Sequence, residues 1–379
     1  MPPAEPYIPT HLRESLAIDR AAADLRRGLP AVLADAFSAC VVFPAELIDP
    51  PRLERLRRLG SLSLLLTQER AAVLKVRHKG RAAVRLVCRS SDPPETIRAT
   101  ADATQDLDHP LLGPFELEER PETSLEIAAL GLLRRARLLP AALVIDLPAG
   151  GKEAQDFARY HDLLGLDLSA TADGDDPLAA AEADLEIVAR ARLPLAIAGA
   201  SESRIVAFRP AAGGAEHFAL LIGDPAPHRP PLVRLHSECF TGDTLGSLKC
   251  DCGTQLKGAL EAIAGDGGGI LLYLAQEGRG IGLMAKLRAY ALQDQGFDTV
   301  EANQRLGFAA DERLYAPAAA MLRALGFSEL RLLTNNPEKV SGLEAEGLRV
   351  VERVAHAFPA NPHNAHYLET KRDKTGHYL

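Results

Sequence analysis

Five cysteines in 379 residues are too few for a disulfide scaffold. No apolar run approaches the roughly 20 residues that a bilayer-spanning helix needs. Net positive charge is also missing. With 51 acidic against 43 basic side chains the chain carries −8, so no overall basic field gathers nucleic acid, and only local basic sites for a small phosphate ligand remain open. The first residues, MPPAEPYIPTHLRES, put Pro and Glu where a secretory leader would be basic and then apolar. Together these absences predict a cytoplasmic protein with neither a nucleic-acid nor a membrane partner. There is no internal repeat and no coiled-coil heptad pattern. What is present is length and a hydrophobic content of 47%, enough for two ordinary domains with a core each.

The pattern along the chain predicts an α+β protein made of two mixed α/β-type domains, 1–185 and 186–379. After a proline-rich first ten residues, strand-like runs fall at Ala31–Leu33, Cys40–Phe43, Leu62–Leu66, Ala83–Cys88 and Leu143–Leu147, with helical stretches such as Glu126–Leu138 between them. The small, acidic, turn-rich Ala170–Pro177 is the linker candidate. In the second half Leu232–Leu235, Ile270–Leu274 and Leu330–Leu333 read as strands. Thr254–Ala264 and Leu283–Gln293 read as helices, and Asn336-Pro337 reads as a helix start, with Asn at the cap and Pro in the first turn.

Three of the five cysteines crowd into His236-Ser-Glu-Cys239-Phe-Thr-Gly-Asp-Thr-Leu-Gly-Ser-Leu-Lys-Cys250-Asp-Cys252-Gly. Three thiolates and one open position are what a catalytic zinc requires, whereas a fourth protein ligand would close the site. Cys-x-Cys puts two sulfurs on one metal only if the chain turns sharply, and Gly253 follows at once. The plainer alternative is three buried, reduced thiols, but Asp243, Lys249 and Asp251 suit a core poorly. His236 is a second-ranked fourth ligand, because alternation along a strand points it away from Cys239.

Cys-x10-Cys-x-Cys after Arg234-x-His-Ser-Glu238 resembles the zinc motif of GTP cyclohydrolase II. The resemblance continues through Gln276-Glu-Gly-Arg-Gly-Ile-Gly-Leu283, Lys286-x-Arg-Ala-Tyr-Ala-Leu-Gln-Asp294, Asp298-Thr-Val-Glu-Ala-Asn303, Leu306-Gly-Phe-Ala-Ala-Asp-Glu-Arg313 and Leu332-Leu-Thr-Asn-Asn-Pro337, and so covers about 186–379. It implies that the C-terminal domain has the GTP cyclohydrolase II fold. It also implies zinc on Cys239, Cys250 and Cys252, and Mg²⁺ with the triphosphate of GTP. The GTP contacts it implies are Arg234, Leu235, His236, Ser237, Glu238, Gln255, Glu277, Gly278, Arg279, Thr299, Thr334 and Lys339. On residue type alone, Thr299 and Thr334 suit a cap or turn equally well. Catalysis falls to Asp311, Arg313 and Tyr290. Asp311 is the implied proton acceptor and Arg313 the implied nucleophile toward the α-phosphate. A guanidinium stays protonated at ordinary pH, so stabilisation of transition-state charge by Arg313 stays open beside that role. Tyr290 is tied to ring opening, and its alternative use is packing on a helix face. The implied reaction opens the guanine ring, releases formate and pyrophosphate, and feeds riboflavin synthesis, and the family forms homodimers. A related cyclohydrolase for another purine or pyrimidine, and a zinc-containing nucleotide-binding protein without turnover, are the rival expectations.

Residues 12–170 resemble a worn 3,4-dihydroxy-2-butanone 4-phosphate synthase through Ala22-Ala-Asp-Leu-Arg-Arg-Gly28, Phe43-Pro-Ala-Glu46 and Leu66-Thr-Gln-Glu-Arg70. That family's acidic Mg²⁺ loop is replaced by Ala34-Asp-Ala-Phe-Ser-Ala-Cys40. Its Gly-His-Thr-Glu is replaced by Pro121–Ile127, which has no histidine. A hard cation wants several oxygen ligands, so the domain is expected to have lost catalysis and to persist as a dimerisation or packing scaffold.

Overall fold

A computed structural model of the chain describes residues 7–169, 184–197, 200–226, 229–359, 362 and 372–374. The linker candidate Ala170–Pro177 lies outside the described residues. The chain forms two compact units, Met1–Leu178 with Met284–Glu312, and Ala179–Leu283 with Arg313–Leu379.

The N-terminal stretch runs α1 (Thr10–Arg26), β1 (Ala31–Ala34), β2 (Ala39–Pro44), a short 3-10 turn at Ala45–Leu47, α2 (Pro50–Leu59), β3 (Ser63–Thr67), α3 (Gln68–Val73), β4 (Ala83–Val87), α4 (Pro94–Ala101), α5 (Ser124–Arg135), β5 (Ala141–Leu147), α6 (Gly151–Tyr160) and β6 (Leu164–Asp167). Its sheet has the order β4-β3-β5-β2-β1-β6, antiparallel except for the parallel β1–β6 pair. The strands read as unbroken apolar runs because helices cover both faces. Val41, Phe43, Leu64, Leu66 and Ile145 pack with α2, α4 and α6. Leu33, Val42, Leu65 and Val144 pack with Ile18 and Leu25 of α1 and Leu132 and Leu133 of α5.

The second stretch runs β7 (Leu185–Arg192), β8 (Ser203–Pro210), β9 (His217–Ile222), β10 (Leu232–Ser237), α7 (Cys252–Gly265), β11 (Gly269–Leu274), α8 (Gly282–Asp294), α9 (Thr299–Arg305), α10 (Ala316–Ala324), β12 (Glu329–Leu333), α11 (Pro337–Ala345) and β13 (Arg349–Val354). The sheet order is β13-β12-β10-β11-β9-β8-β7. β13, β12, β10 and β11 are parallel, and β9, β8 and β7 continue antiparallel. α10 covers one face, with Ala318, Met321 and Leu322 against Val233, Leu235 and Leu272. α7 covers the other, with Ala259 and Ile263 against Leu232 and Leu271. In open sheets of this kind ligands bind outside the carboxyl ends of the parallel strands, which directs attention to the loops after β10, β11 and β12. Asn336 caps α11 as its sequence position suggests, its Oδ1 accepting from the Glu338 N–H at 3.0 Å.

One charge cluster tests the packing of the first unit. Arg85 on β4 lies between Glu126, 2.6 Å away with both side chains 3% exposed, and Asp146 at 2.8 Å. Glu126 also closes the capping box of α5. Removing one partner of a buried pair leaves an uncompensated charge. Glu126→Ala is therefore expected to destabilise the full-length protein by about 3 kcal/mol, read as a lower urea midpoint. An unchanged midpoint would contradict this role for the pair.

Candidate metal and nucleotide site

The loop after β10 gathers the sulfur atoms. A single π-helical turn, Phe240–Thr244, follows Cys239, and α7 begins at Cys252. Cys239 Sγ and Cys250 Sγ are 3.7 Å apart, and the Sγ atoms of Cys239, Cys250 and Cys252 all lie within 4.8 Å of one another. Two thiolates at tetrahedral angles on a zinc with bonds of about 2.3 Å would be about 3.8 Å apart, so the donor set fits that metal. Gly242 makes the convergence sterically feasible. A Cβ there would stand 2.8 Å from Cys250 Sγ and 3.0 Å from Cys239 Sγ. The amide of Gly242 instead donates to Cys239 Sγ at 3.3 Å. The thiols of Cys250 and Cys252 are both raised above the usual range, each first by its hydrogen bonding to Cys239 and further by burial; bonding between the pair pushes Cys252 up and draws Cys250 down. A divalent cation reverses that preference, since coordination deprotonates a thiol.

His236 does not join the sulfur cluster, whose members among the described residues are the three cysteines. Its Nε2 faces both oxygens of Asp243 at 3.0 and 3.1 Å, and its ring stacks on Tyr273. Asp243 also accepts from the Cys239 N–H and from Tyr273 Oη, each at 3.0 Å. One buried carboxylate therefore ties β10, β11 and the metal loop together. Burial lowers the His236 pKa against the opposing pull of Asp243, which favours the neutral ring. With Nε2–H donated to Asp243, its buried Nδ1 is an acceptor that has no hydrogen-bond partner among the described residues. Asp243 was legible only as a charge unsuited to a core, and its partners 30 and 7 residues away gave no local signal.

Behind the sulfurs lies a chain of polar groups. Arg234 donates to the Leu333 carbonyl at 2.9 Å and to Gln255 Oε1 at 2.5 Å, and Gln255 donates to Asp251 Oδ2 at 2.5 Å. Burial lowers the Arg234 pKa to about 10, Asp251 and Cys252 oppose it, and Arg313 adds to it. Lys339 is also buried and donates to the Leu235 carbonyl at 2.8 Å. The Leu235 side chain itself packs in the core. Ser237 ends β10, and the Glu238 amide donates to Leu274 O at 2.8 Å. Thr334 Oγ1 accepts from the Asn336 N–H at 3.0 Å, the turn use that its residue type allowed.

After β11, Gly278 and Arg279 adopt φ of 63° and 62°. Left-handed backbone is unusual for a non-glycine residue, and successive residues of this kind make the sharp turn that can expose backbone amides to an anion. Glu277 is buried, and its carboxylate accepts from the Phe240 N–H at 2.6 Å and from the Gly278 N–H at 3.0 Å. It thus links the glycine-rich turn to the metal loop. Gln276 donates to Leu314 O at 2.9 Å, next to Arg313.

Tyr290, Thr299 and Asp311 belong to the first unit. Lys286 Nζ stands 5.7 Å from the centre of the Tyr290 ring. Thr299 opens α9 and accepts from Gln293 Nε2 at 3.3 Å. The second unit thus assembles the cysteines, Arg234 to Glu238, Gln255, Glu277 to Arg279, Arg313, Thr334 and Lys339, while these three residues fold with the other unit.

Sequence reasoning also missed His356, whose Nε2 meets the Gln255 carbonyl at 2.9 Å. Burial lowers its pKa to about 4, helped by the charge of Arg234. A histidine depressed below its unfolded value near 6.5 contributes stability that is complete above pH 6.5 and is lost as pH falls toward 4. Between pH 6.5 and 4, the urea midpoint of wild type should therefore fall more steeply than that of His356→Gln, by up to about 1.4 kcal/mol of stability per pH unit. Equal slopes would contradict burial of a neutral His356.

Comparison with known proteins places this geometry in context. The family model described as GTP cyclohydrolase II matches residues 186–355. A GTP cyclohydrolase-2 of Azospirillum brasilense is 46% identical over 380 residues, 99% of this chain and 97% of that protein. A GTP cyclohydrolase-2 of Escherichia coli (strain K12 / DH10B) is 55% identical over 195 residues, 52% of this chain and 98% of that protein. A solved two-domain 3,4-dihydroxy-2-butanone 4-phosphate synthase from A. baumannii covers 90% of this chain and 99% of its own at 16% identity and a TM-score of 0.32, too low a score to argue from.

Proposed function

Since the chain belongs to the GTP cyclohydrolase II family, we propose that it hydrolyses GTP to 2,5-diamino-6-(5-phosphoribosylamino)pyrimidin-4(3H)-one, formate and pyrophosphate, the entry step of riboflavin synthesis. The observation that carries this reading is the convergence of Cys239, Cys250 and Cys252 within 4.8 Å beside the buried Arg234 and its partner Gln255.

The three thiols are the groups that would hold zinc, leaving one position without a protein ligand. When bound, zinc supplies the Lewis acidity that makes a hydroxide nucleophile available near neutral pH. The side chains of the loop do the rest. Asp243 holds Cys239 by its amide and His236 by Nε2, which fixes the metal loop to β10. The Nδ1 lone pair of His236 offers an acceptor to a donor on the substrate. Arg234, Arg279 and Lys339 bring positive charge to the triphosphate, which also carries Mg²⁺, and Gln255 and Glu277 offer acceptors for the N1–H and 2-amino edge of guanine. Leu235, Ser237, Glu238, Gly278, Thr299 and Thr334 complete the nucleotide contacts. In the reaction one water adds at C8 and opens the ring to a formamide, a second hydrolyses that formamide, and with both C8–N bonds broken C8 leaves as formate while the two nitrogens are left protonated as amines. Separately, the α-phosphate is attacked by water, directly or after transfer to Arg313, the bond between the α- and β-phosphates breaks and pyrophosphate leaves, the water oxygen staying on the α-phosphate. Arg313 serves the α-phosphate, as nucleophile or by stabilising its charge, with Asp311 as proton acceptor and Tyr290 acting in ring opening.

By sequence the chain divides into domains 1–185 and 186–379, the first a degenerate relative of 3,4-dihydroxy-2-butanone 4-phosphate synthase without catalysis. In support, the carboxylate of Asp35 is committed to the Phe37 and Ser38 amides at 2.8 and 2.7 Å and to the Ser38 hydroxyl. The protein acts in the cytoplasm as a homodimer.

The test incubates zinc-loaded protein with GTP and Mg²⁺ and assays formate, pyrophosphate and the pyrimidine together. All three should accumulate in equal amounts, and failure to release formate would overturn the reading. The two reaction centres should then separate by mutation. Cys250→Ser is expected to lose formate release by at least about 100-fold, and Arg313→Ala to slow pyrophosphate release by a similar factor. Pyrophosphate release at the wild-type rate by metal-replete Arg313→Ala would remove Arg313 from the chemistry.

A further inference from the structure

The segment Met284–Glu312 carries family motifs of the second domain yet packs as part of the first compact unit. Four contacts hold it there. On α8 the guanidinium of Arg288 sits between two carboxylates, 2.6 Å from Glu46 Oε2 and 3.2 Å from Asp102 Oδ2, whose side chains are 9% and 10% exposed. Each carboxylate is itself pinned by its own surroundings. Glu46 Oε1 accepts from the Leu139 N–H at 2.7 Å, and Asp102 Oδ1 accepts from the Thr104 N–H at 3.0 Å. At the end of α9, Arg70 donates to the Arg305 carbonyl at 3.4 Å. Arg70 is 1% exposed, is paired to both oxygens of Asp106 at 2.9 and 2.6 Å, and donates to Thr100 O and Ala99 O. Gly307 follows at φ +87°, so close to the end of β3 that a Cβ would stand 3.0 Å from Thr67 Oγ1 and 3.2 Å from Pro140 Cγ. Glu312 pairs with Arg134 at 3.4 Å and accepts from the Ala309 N–H at 2.8 Å.

These contacts bracket residues 290, 299 and 311. Moreover, Glu46 closes Phe43-Pro-Ala-Glu46, and Thr67 and Arg70 belong to Leu66-Thr-Gln-Glu-Arg70, two of the three tracts that still resemble the synthase. Exposed ion pairs are worth little, but two carboxylates buried around one guanidinium become costly if it withdraws.

We propose that the first unit is a positioning scaffold for GTP turnover, with Glu46, Asp102 and Arg70 fixing the segment that bears Tyr290, Thr299 and Asp311. This rests on the GTP cyclohydrolase reading above. Residues from the worn domain act through the segment and touch no reacting atom. Displacing a catalytic group by about 1 Å costs on the order of 100-fold, so loosening the anchors should show in kcat.

The experiment uses full-length Glu46→Gln/Asp102→Asn, with Asp102→Asn alone as a milder variant that leaves Glu46 on Arg288. Leu33→Ala serves as control, a truncation in a core cluster that contains no residue of 284–312. Hydrogen exchange of the segment, zinc content and steady-state formate release are measured on each. The double variant should keep its zinc, lose exchange protection across 284–307 and lose kcat by roughly tenfold or more, with a much smaller change in KM. The single variant should fall between it and wild type. Leu33→Ala should lower Tm while leaving segment protection and kcat per zinc-loaded chain in place. Unchanged protection, or lost protection with wild-type kcat, would overturn the proposal, as would an equal loss of kcat in Leu33→Ala. If wild type itself released no formate from GTP, the underlying reading would fall, and the exchange data would still decide whether these carboxylates hold the segment.

Discussion

Three sulfur atoms have to meet within the reach of one metal ion, and the chain can bring them there only where no side chain intervenes. Gly242 is that place, since a Cβ at this position would be 2.8 Å from Cys250 Sγ. Gly253 does the same from the other side, where a Cβ would collide with the Gly242 carbonyl. The parallel order β12-β10-β11 delivers the loops to one edge of the sheet. Asp243 and Glu277 then lock those loops by their amides, one at Cys239 and the other at Phe240. Loss of either carboxylate would leave buried donors unpaired, each costing about 1–3 kcal/mol. The polar residues around the sulfurs therefore serve the geometry of the loop as well as a nucleotide.

What was legible in the sequence follows from range. Apolar runs located β1 to β5 and β10 to β12 within a residue or two, because strand burial is a local property of consecutive side chains, while β6 to β9 and β13 carried no run that was read as a strand. The Asn336 cap was legible for the same reason. The assignment of His236 to the side away from Cys239 followed from strand alternation alone. What its ring faces instead, Asp243 and Tyr273, depends on a loop and a neighbouring strand that no local pattern specifies. Glu277 was read as a nucleotide contact, and its bond to the Phe240 amide was invisible because Phe240 lies 37 residues away. His356 carried no motif at all. The grouping of 284–312 with the N-terminal unit was equally hidden, since its motifs point by descent to the second domain while its contacts point to the first. Compact units group residues by packing, and sequence domains group them by ancestry.

The first unit illustrates how the two can separate. Its Ala34–Cys40 loop closes on itself through Asp35 and Ser38, and Gly150 lets the turn before α6 approach that loop closely. The region without the expected histidine supplies Glu126 to the buried Arg85 instead. What remains of the older motifs is engaged in packing. Glu46, Thr67 and Arg70 all lie against residues of 284–312.

The claim that the sulfur cluster is an open zinc site is tested most directly by zinc stoichiometry together with X-ray absorption at the zinc edge of the purified full-length protein. One zinc per chain with three sulfur neighbours at about 2.3 Å and one lighter neighbour at about 2.0 Å is expected, together with loss of that signature in Cys250→Ser. Zinc surrounded by four sulfurs, or protein that binds no zinc while its three thiols remain reduced, would contradict it.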